Sequence, residues 1–281
     1  DQPRSRGLGD VYKRQIQTLL EFQGISVEDR QWKNTLNEKA AIHQAGEIKP
    51  REHAEFVLPE AMLGTYRRAY AYLIKTRGLS QQIVDYFVRD LKILYEEKEH
   101  HNLVFLGKDK DGIVRYATKR GTADIYGKKY RGDVAGNDKN YGINIVNEKS
   151  TELKVFEANI DLMSYMDIKG DFESNKLVLG MTADNPLVQF LKDHPHIKKI
   201  TFCMDNDEAG MLAMFGNEEK AGLLKKYEMQ GYETDTDTVP QGIGCKDWNE
   251  YLIYKKNGQD IGRTEPIENH QVEYSRKRKC R

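Results

Sequence analysis

The sequence predicts an α/β fold in which a parallel sheet flanked by helices follows a small mixed α+β domain. After Ser150, strand-like apolar runs alternate with helical runs over short connections, and parallel neighbours need such crossovers. Before Ser150, a helical hairpin pattern precedes two strand-like runs joined by an Asp-Gly turn. The chain has 281 residues with 38% hydrophobic content, which is enough for one or two domains with a real core.

The smaller domain is expected over residues 56–150. Helical periodicity covers 66–75 and 81–89, and Ser80 is a suitable N-cap for the second helix. The strand-like runs are 102–108 and 113–119, and the turn between them ends in Asp-Gly. We refer to residues 56–150 as the front domain.

The larger α/β domain is expected over residues 151–256. Its pattern gives four strands and three helices in strict alternation. The expected strands are 153–157, 176–181, 198–205 and 233–239, and the expected helices are 160–168, 186–194 and 208–230. In sheets of this type the ligand site lies at the carboxyl ends of the strands.

The two ends of the chain are set apart from this fold. Residues 10–15 resemble a translated sequencing adapter, so residues 1–15 are expected to be non-native. Residues 16–55 are interpreted as a helix remnant and linker, which would follow a missing upstream domain. Residues 257–281 form a basic tail that ends in Arg-Lys-Arg-Lys-Cys-Arg.

Charge is distributed unevenly although the net charge is zero. Residues 1–150 hold 26 Lys and Arg against 21 Asp and Glu, whereas residues 151–281 hold 18 against 23. A basic front half can hold phosphates directly, while an acidic back half needs cations to approach nucleic acid. The chain has no apolar run of ~20 residues and no secretory signal. A cytoplasmic protein without a membrane partner is therefore expected.

Carboxylates follow three different strands of the expected sheet. Glu157 ends the first strand, Asp205 ends the third with Asp207 two residues on, and Asp247 follows the fourth. Asp161 lies about one helical turn after Glu157 and could lean over the same edge. Clustered carboxylates repel one another unless a cation neutralises them, and Mg²⁺ prefers oxygen ligands. The alternative for Asp161 is a helix-terminal acid that the helix dipole stabilises.

These segments resemble the motifs of a Toprim domain, the module shared by primases and topoisomerases. Val-Phe-Glu-Ala-Asn-Ile-Asp at 155–161 looks like its first motif, and Asp-Asn-Asp at 205–207 looks like its Asp-x-Asp motif. The resemblance implies a Toprim-like parallel sheet, with Glu157 as general acid/base. It also implies Mg²⁺, or Mn²⁺ in its place, held by a set of aspartates: Asp161, Asp205, Asp207 and Asp247.

The segment Lys-Asp-Trp-Asn-Glu at 246–250 is similar to the Lys-Asp-Pro-Asp stretch of bacterial primases. Lys246 is either a phosphate contact or an ordinary surface charge. Asn249 stands where primases carry a second Asp, and Ala158 stands where many Toprim domains carry Gly. These departures bear on how many ions the site holds and how closely a phosphate approaches.

Most of residues 56–253 also resembles a group of bacterial mobile-element proteins in which an uncharacterised domain precedes Toprim. The likeness rests on Leu-Pro-Glu at 58–60, on 66–78, on Tyr-Arg-Gly-Asp-Val at 130–134 and on 156–165. Such proteins are carried on plasmids and conjugative elements. The resemblance therefore implies replication or mobilisation proteins as partners.

A basic stretch in the front domain is a candidate groove for a single strand. Residues 108–139 hold nine Lys and Arg with three interleaved tyrosines. Cationic side chains neutralise phosphates, and tyrosine rings stack on unpaired bases. The residues singled out are Lys119, Arg120, Lys128 and Arg131. The alternative is an ordinary hairpin surface.

The predicted function is Mg²⁺-dependent phosphodiester chemistry on nucleic acid. Primase-like nucleotidyl transfer is the first hypothesis, and nicking or hydrolysis of DNA is the second. The expected partner is single-stranded DNA, with RNA as an alternative and nucleotides as further ligands. The rival hypothesis is a non-catalytic nucleic-acid-binding module with a structural Mg²⁺. His194 and His196, one residue apart beside a proline, are interpreted as loop-tip residues and not as metal ligands.

Overall fold

A computed structural model describes residues 54–125, 128–180, 183–217 and 220–258. The adapter-like segment at 1–15, nearly all of the expected linker, and the basic tail from residue 259 lie outside the described residues. None of the helices in these described ranges is long and apolar enough to cross a membrane.

Two short helices open the front domain. Helix α1 spans Arg67–Ala71 and continues as a π-helical turn over Tyr72–Thr76. Helix α2 spans Gln81–Asp85 and continues in the same way over Tyr86–Asp90. The Ser80 hydroxyl accepts a hydrogen bond from the Ile83 amide at 3.4 Å, so the expected N-cap is confirmed.

The front domain continues as a four-stranded antiparallel sheet in the order β1-β2-β3-β4. The expected hairpin is present between β2 and β3, and its Asp109 carboxylate accepts from the Ile113 amide at 2.9 Å. The structure adds two strands that the sequence did not predict, β1 and β4, and extends β3. The strands are β1 Leu94–Glu96, β2 Leu103–Lys108, β3 Val114–Ile125 and β4 Lys128–Asp133.

The second sheet has five strands in the order β5-β7-β6-β8-β9. Strands β6 to β9 are mutually parallel, and the two-residue strand β5 runs antiparallel at one edge. The strands are β5 Asn144–Ile145, β6 Glu152–Phe156, β7 Asn175–Val178, β8 Lys199–Phe202 and β9 Glu233–Thr236. The predicted α/β class with a parallel sheet is therefore confirmed.

Five helices accompany this sheet: α3 Asn159–Lys169, α4 Asn185–Asp193, α5 Glu208–Phe215, α6 Leu223–Glu228 and α7 Trp248–Lys256. The single helix expected over 208–230 is wrong, because the chain is broken between α5 and α6. Gly216 adopts φ +74, and a Cβ on Gly222 would lie 2.2 Å from the Met214 carbonyl oxygen. The two glycines thus allow the chain to turn tightly between α5 and α6, although the sequence periodicity over 208–230 is that of one helix.

The two faces of the parallel sheet belong to two different apolar clusters. One contains Val155, Phe202 and Tyr227, beneath α4 and α6. The other contains Phe156 and Trp248 and continues without a break into the core of the front domain.

Backbones also approach closely where the two sheets meet. A Cβ on Gly107 of β2 would lie 2.3 Å from the Gly142 carbonyl oxygen, and a Cβ on Gly142 would lie 2.2 Å from the Val178 carbonyl oxygen of β7. Only glycine permits this layering at both positions.

Candidate metal centre at the acidic edge

The carboxyl ends of β6 and β8 bring Glu157 and Asp205 to one edge of the sheet. Glu157 directly follows β6, and Asp205 lies three residues after β8. These strands are parallel neighbours, with Val155 paired to Phe202. We call this edge, with the carboxylates of Glu157, Asp161, Asp205, Asp207 and Asp247, the acidic edge.

The loop after β8 is shaped by helix α5. Asp207 is the N-cap of that helix, and its Oδ1 accepts from the Gly210 amide at 2.9 Å. A Cβ on Gly210 would lie only 2.1 Å from the Asp205 carbonyl oxygen. The helix can therefore begin immediately beside Asp205 only because residue 210 has no side chain.

Asp247 is positioned in the same manner by helix α7. Its Oδ1 accepts from the Glu250 amide at 2.7 Å, as an N-cap does. The Asn206 amide donates to the Lys246 carbonyl at 2.6 Å. This hydrogen bond joins the loop that carries Asp205 and Asp207 to the loop that carries Asp247.

Asp161 lies in the first turn of α3 and is only 6% exposed. Its Oδ1 accepts from the backbone amide of Asn249 at 3.1 Å. Helix α7 thus reaches Asp161 through its own first turn. This contact brings Asp161 next to the loop that carries Asp247, and its role as a metal ligand stays a prediction.

The carboxylates of the acidic edge raise one another's pKa values. The pKa of Asp205 is raised to about 8, first by burial and then by the charges of Asp161, Glu157, Asp247 and Asp207 in that order. Burial, then the charge of Asp247, raises the pKa of Asp161 to about 7. The pKa of Glu157 is raised by burial and by Asp207. A cation at this edge would relieve the repulsion.

The donor set fits a hard divalent cation. Asp205 Oδ1 is buried and has no hydrogen-bond partner, although a buried polar oxygen normally has one. All the side chains offered here are carboxylates, which suits Mg²⁺ or Mn²⁺. Among the described residues, no three of these carboxylates offer oxygens that all lie within 4.8 Å of one another.

Basic side chains of the front domain lie beside the acidic edge. Arg120 pairs directly with Arg131 across β3 and β4, and like charges placed opposite each other are destabilising. Arg120 and Arg77 both lower the pKa of Asp161, after burial has raised it. An anion between these strands would offset the repulsion between the two arginines.

The other basic residues predicted to contact phosphate differ in exposure and in whether they are already paired with an acid. Arg131 is exposed, whereas Lys119 lies 3.6 Å from Glu97 and covers the Tyr130 ring. Lys128 lies on β4, and its side chain is outside the described part of the structure. Lys246 is exposed, with its Nζ 3.8 Å from Glu250. A phosphate-binding role for each remains a prediction.

Sequence reasoning missed Arg77 and Tyr72. The Tyr72 hydroxyl accepts from Arg77 at 2.8 Å and from Arg120 at 3.1 Å. Burial favours a raised pKa of Tyr72, but the charges of Arg120 and Arg77 outweigh it and lower that pKa. The Arg77 guanidinium also donates to Asn249 Oδ1 at 3.1 Å. No spacing signal connects residues so far apart along the chain.

Asn249, singled out as a departure from primases, is fully engaged in the structure. It is 3% exposed. Its amide nitrogen donates to the Arg77 carbonyl at 2.7 Å and to the Ser164 hydroxyl at 3.0 Å. The side chain therefore joins α3 to the front domain through amide donors that an aspartate lacks.

Comparison with known proteins finds two family matches. Residues 71–149 match the family described as Protein of unknown function (DUF3991), and residues 154–252 match the family described as Toprim-like. An uncharacterized pXO2 plasmid protein from Bacillus anthracis is 29% identical over 220 residues, which cover 72% of this chain. The match spans 61% of that relative's length.

The comparison with solved structures finds primases that are similar to part of this chain. The primase fragment of the bacteriophage T7 primase-helicase protein has 17% identity and a TM-score of 0.45, over 66% of this chain and 70% of that chain. The Aquifex aeolicus primase, with its zinc-binding and RNA polymerase domains, has 18% identity and a TM-score of 0.46, over 68% and 53%. Neither likeness assigns an activity to this chain.

Proposed function

We propose, on the premise that this chain carries a DUF3991 domain followed by a Toprim-like domain, that it performs metal-dependent phosphodiester chemistry on nucleic acid. Residues 151–256 would hold the reacting phosphate, and residues 56–150 would position the strand. The observation that supports this most directly is the unpartnered, buried Oδ1 of Asp205 beside Glu157. Primase-like nucleotidyl transfer is the first assignment, and nicking of DNA is the second.

Each carboxylate has a separate role in this proposal. Asp161, Asp205, Asp207 and Asp247 would hold Mg²⁺, or Mn²⁺ in its place. When bound, the ion polarises the phosphoryl group and neutralises developing negative charge. Glu157 moves the proton at the attacking or leaving oxygen. Its raised pKa brings this carboxyl closer to the pH at which it can both accept and release a proton.

The front domain would bind the nucleic-acid strand through cationic side chains. Arg131 and Lys119 flank Tyr130 on β3 and β4, so phosphates and an unpaired base could be held together. Single-stranded DNA is the proposed partner, RNA is the alternative, and nucleotides are further ligands. The pXO2 relative supports a plasmid setting, with replication or mobilisation proteins as partners.

The second candidate function is a non-catalytic binding module. The hydrogen bonds of Asn249 with Arg77 and Ser164 favour this function. A primase carries a further carboxylate at this position, whereas here the side chain is occupied in structural hydrogen bonds.

Glu157→Gln tests the proposal against this rival. The variant keeps shape and volume but cannot carry a proton, so turnover of a labelled single strand or of nucleoside triphosphates should fall at least ~100-fold. Binding of the strand, measured by fluorescence anisotropy over a Mg²⁺ titration, should change less than ~2-fold. Glu152→Gln, at the opposite end of β6, is the matched control and should retain turnover.

If wild type never turns over any of these substrates while Mg²⁺ tightens strand binding, the binding module is the correct function. If Glu157→Gln turns over like wild type, another residue moves the proton.

A further inference from the structure

Two histidines and a glutamate meet at the opposite end of the parallel sheet from the acidic edge. His194 caps the C-terminus of α4, His196 lies in the connection to β8, and Glu148 lies in the turn before β6. One ligand atom from each lies within 4.8 Å of the other two. His194 is only 5% exposed, so the expectation that it is a loop-tip residue is wrong.

The spacing of these atoms matches metal ligation better than direct hydrogen bonding. Glu148 Oε1 lies 3.5 Å from His194 Nδ1, and Glu148 Oε2 lies 3.7 Å from His196 Nδ1. Good hydrogen bonds between such atoms span about 2.7–3.2 Å. Two ligands on a tetrahedral zinc, with bonds of ~2.1 Å, stand about 3.4 Å apart.

The backbone holds the two loops that carry these side chains side by side. The amides of Lys198 and Lys199 both donate to the Thr151 carbonyl, at 2.9 and 3.2 Å. The His194 ring packs on Phe190, with 4.4 Å between ring centroids.

We propose that Glu148, His194 and His196 form a binding site for a borderline transition-metal cation such as Zn²⁺. Two imidazoles and one carboxylate suit this class of ion, whereas the all-carboxylate acidic edge suits Mg²⁺. The site clamps the turn before β6 to the connection before β8. It lies about one strand length, ~15 Å, from the acidic edge, and three protein ligands leave a fourth position for water or another ligand.

Metal binding to the full chain tests the site. Co²⁺, which substitutes for Zn²⁺, is titrated in excess Mg²⁺ so that the acidic edge is filled. Wild type should show a tetrahedral visible absorption band that saturates near one equivalent, and Zn²⁺ should abolish it. Zn²⁺ at about 100 times its Kd should raise the thermal unfolding midpoint by roughly 5 °C.

His196→Ala and Glu148→Gln each remove one ligand and should weaken Co²⁺ binding at least ~10-fold. Neither replaces the most buried residue, His194, so folding is expected to persist and is checked by circular dichroism. His100→Ala, which removes an exposed histidine beside Glu99, is the matched control and should bind like wild type. An absorption band and a midpoint shift that survive in both ligand variants would overturn the proposal, as would the absence of tight binding in wild type.

Discussion

Asp205 has the most strongly raised pKa among the carboxylates of the acidic edge, so its charge destabilises the metal-free fold. Its folded-state pKa of about 8 lies above the ordinary value of 3.8. The folded state therefore binds more protons than the unfolded state between about pH 4 and pH 8, and stability falls as pH rises through this window. Asp161, raised to about 7, adds to the same trend between about pH 4 and pH 7.

Asp205→Asn should stabilise the metal-free protein at pH 8, because it removes the buried charge. We expect a gain of about 1 kcal/mol, or roughly 3 °C in the unfolding midpoint. The difference from wild type should shrink as pH falls to 4. Calorimetry across pH 4 to 8 in EDTA measures it, and added Mg²⁺ should stabilise wild type but not the variant. A variant that is less stable at pH 8 would contradict the assigned cost of this charge.

Asn249→Asp restores the carboxylate that primases carry but removes two amide donors. The Arg77 carbonyl and the Ser164 hydroxyl lose their partner, so we expect a loss of about 1–3 kcal/mol in the free energy of unfolding. Urea denaturation measures the change. Asn140→Asp, at an exposed position, serves as the control and should change stability by less than about 0.5 kcal/mol. An unchanged urea midpoint for Asn249→Asp would show that these hydrogen bonds contribute little.

At the scale of elements, the loop between β8 and α5 depends on one missing side chain. Gly210→Ala forces a Cβ into the Asp205 carbonyl oxygen, which lies 2.1 Å from its ideal position. The loop or the helix must move, at a cost of about 2–3 kcal/mol, and Asp205 and Asp207 move with it. We expect Mg²⁺ affinity to fall at least ~10-fold, as measured by calorimetric titration. Ala209→Ser, at the exposed neighbouring position, should bind Mg²⁺ like wild type.

The elements that sequence could predict are those with strong periodicity or a capping residue. The alternation after Ser150 predicted β6 to β9 and the common edge of Glu157 and Asp205. Strand β4, Lys-Lys-Tyr-Arg-Gly-Asp, was missed because it is a charged edge strand without alternation. Strand β5 has only two residues and no signal of its own.

Long-range side-chain partnerships were beyond the reach of sequence patterns. The hydrogen bonds between Arg77 and Asn249 connect residues 172 positions apart. The break between α5 and α6 depends on backbone contacts at Gly216 and Gly222, which hydrophobic periodicity does not report. The pairing of Arg120 with Arg131 likewise required the observed register of β3 and β4.

At the scale of the whole molecule, strand binding by the basic front domain should weaken with salt, whereas the acidic edge should need a divalent cation. Replacing both Lys119 and Arg131 with Ala should weaken single-strand binding and flatten its dependence on salt, by about one unit of log–log slope per lost phosphate contact. Anisotropy titrations from low to high salt measure the slope. Arg89→Ala, which removes an exposed arginine paired with Asp85, should leave it unchanged. An unaltered slope in the double variant would show that Lys119 and Arg131 do not contact phosphates.

The glycine layering at Gly107 and Gly142 has a kinetic consequence. The close backbone contacts at Gly107 and Gly142, together with the shared apolar core, disfavour hinge or shear motion between the two sheets. Under the proposed function, a nucleic-acid strand should therefore bind without any opening of the two sheets relative to each other. Its association rate should follow electrostatic attraction and remain free of a slow gating phase.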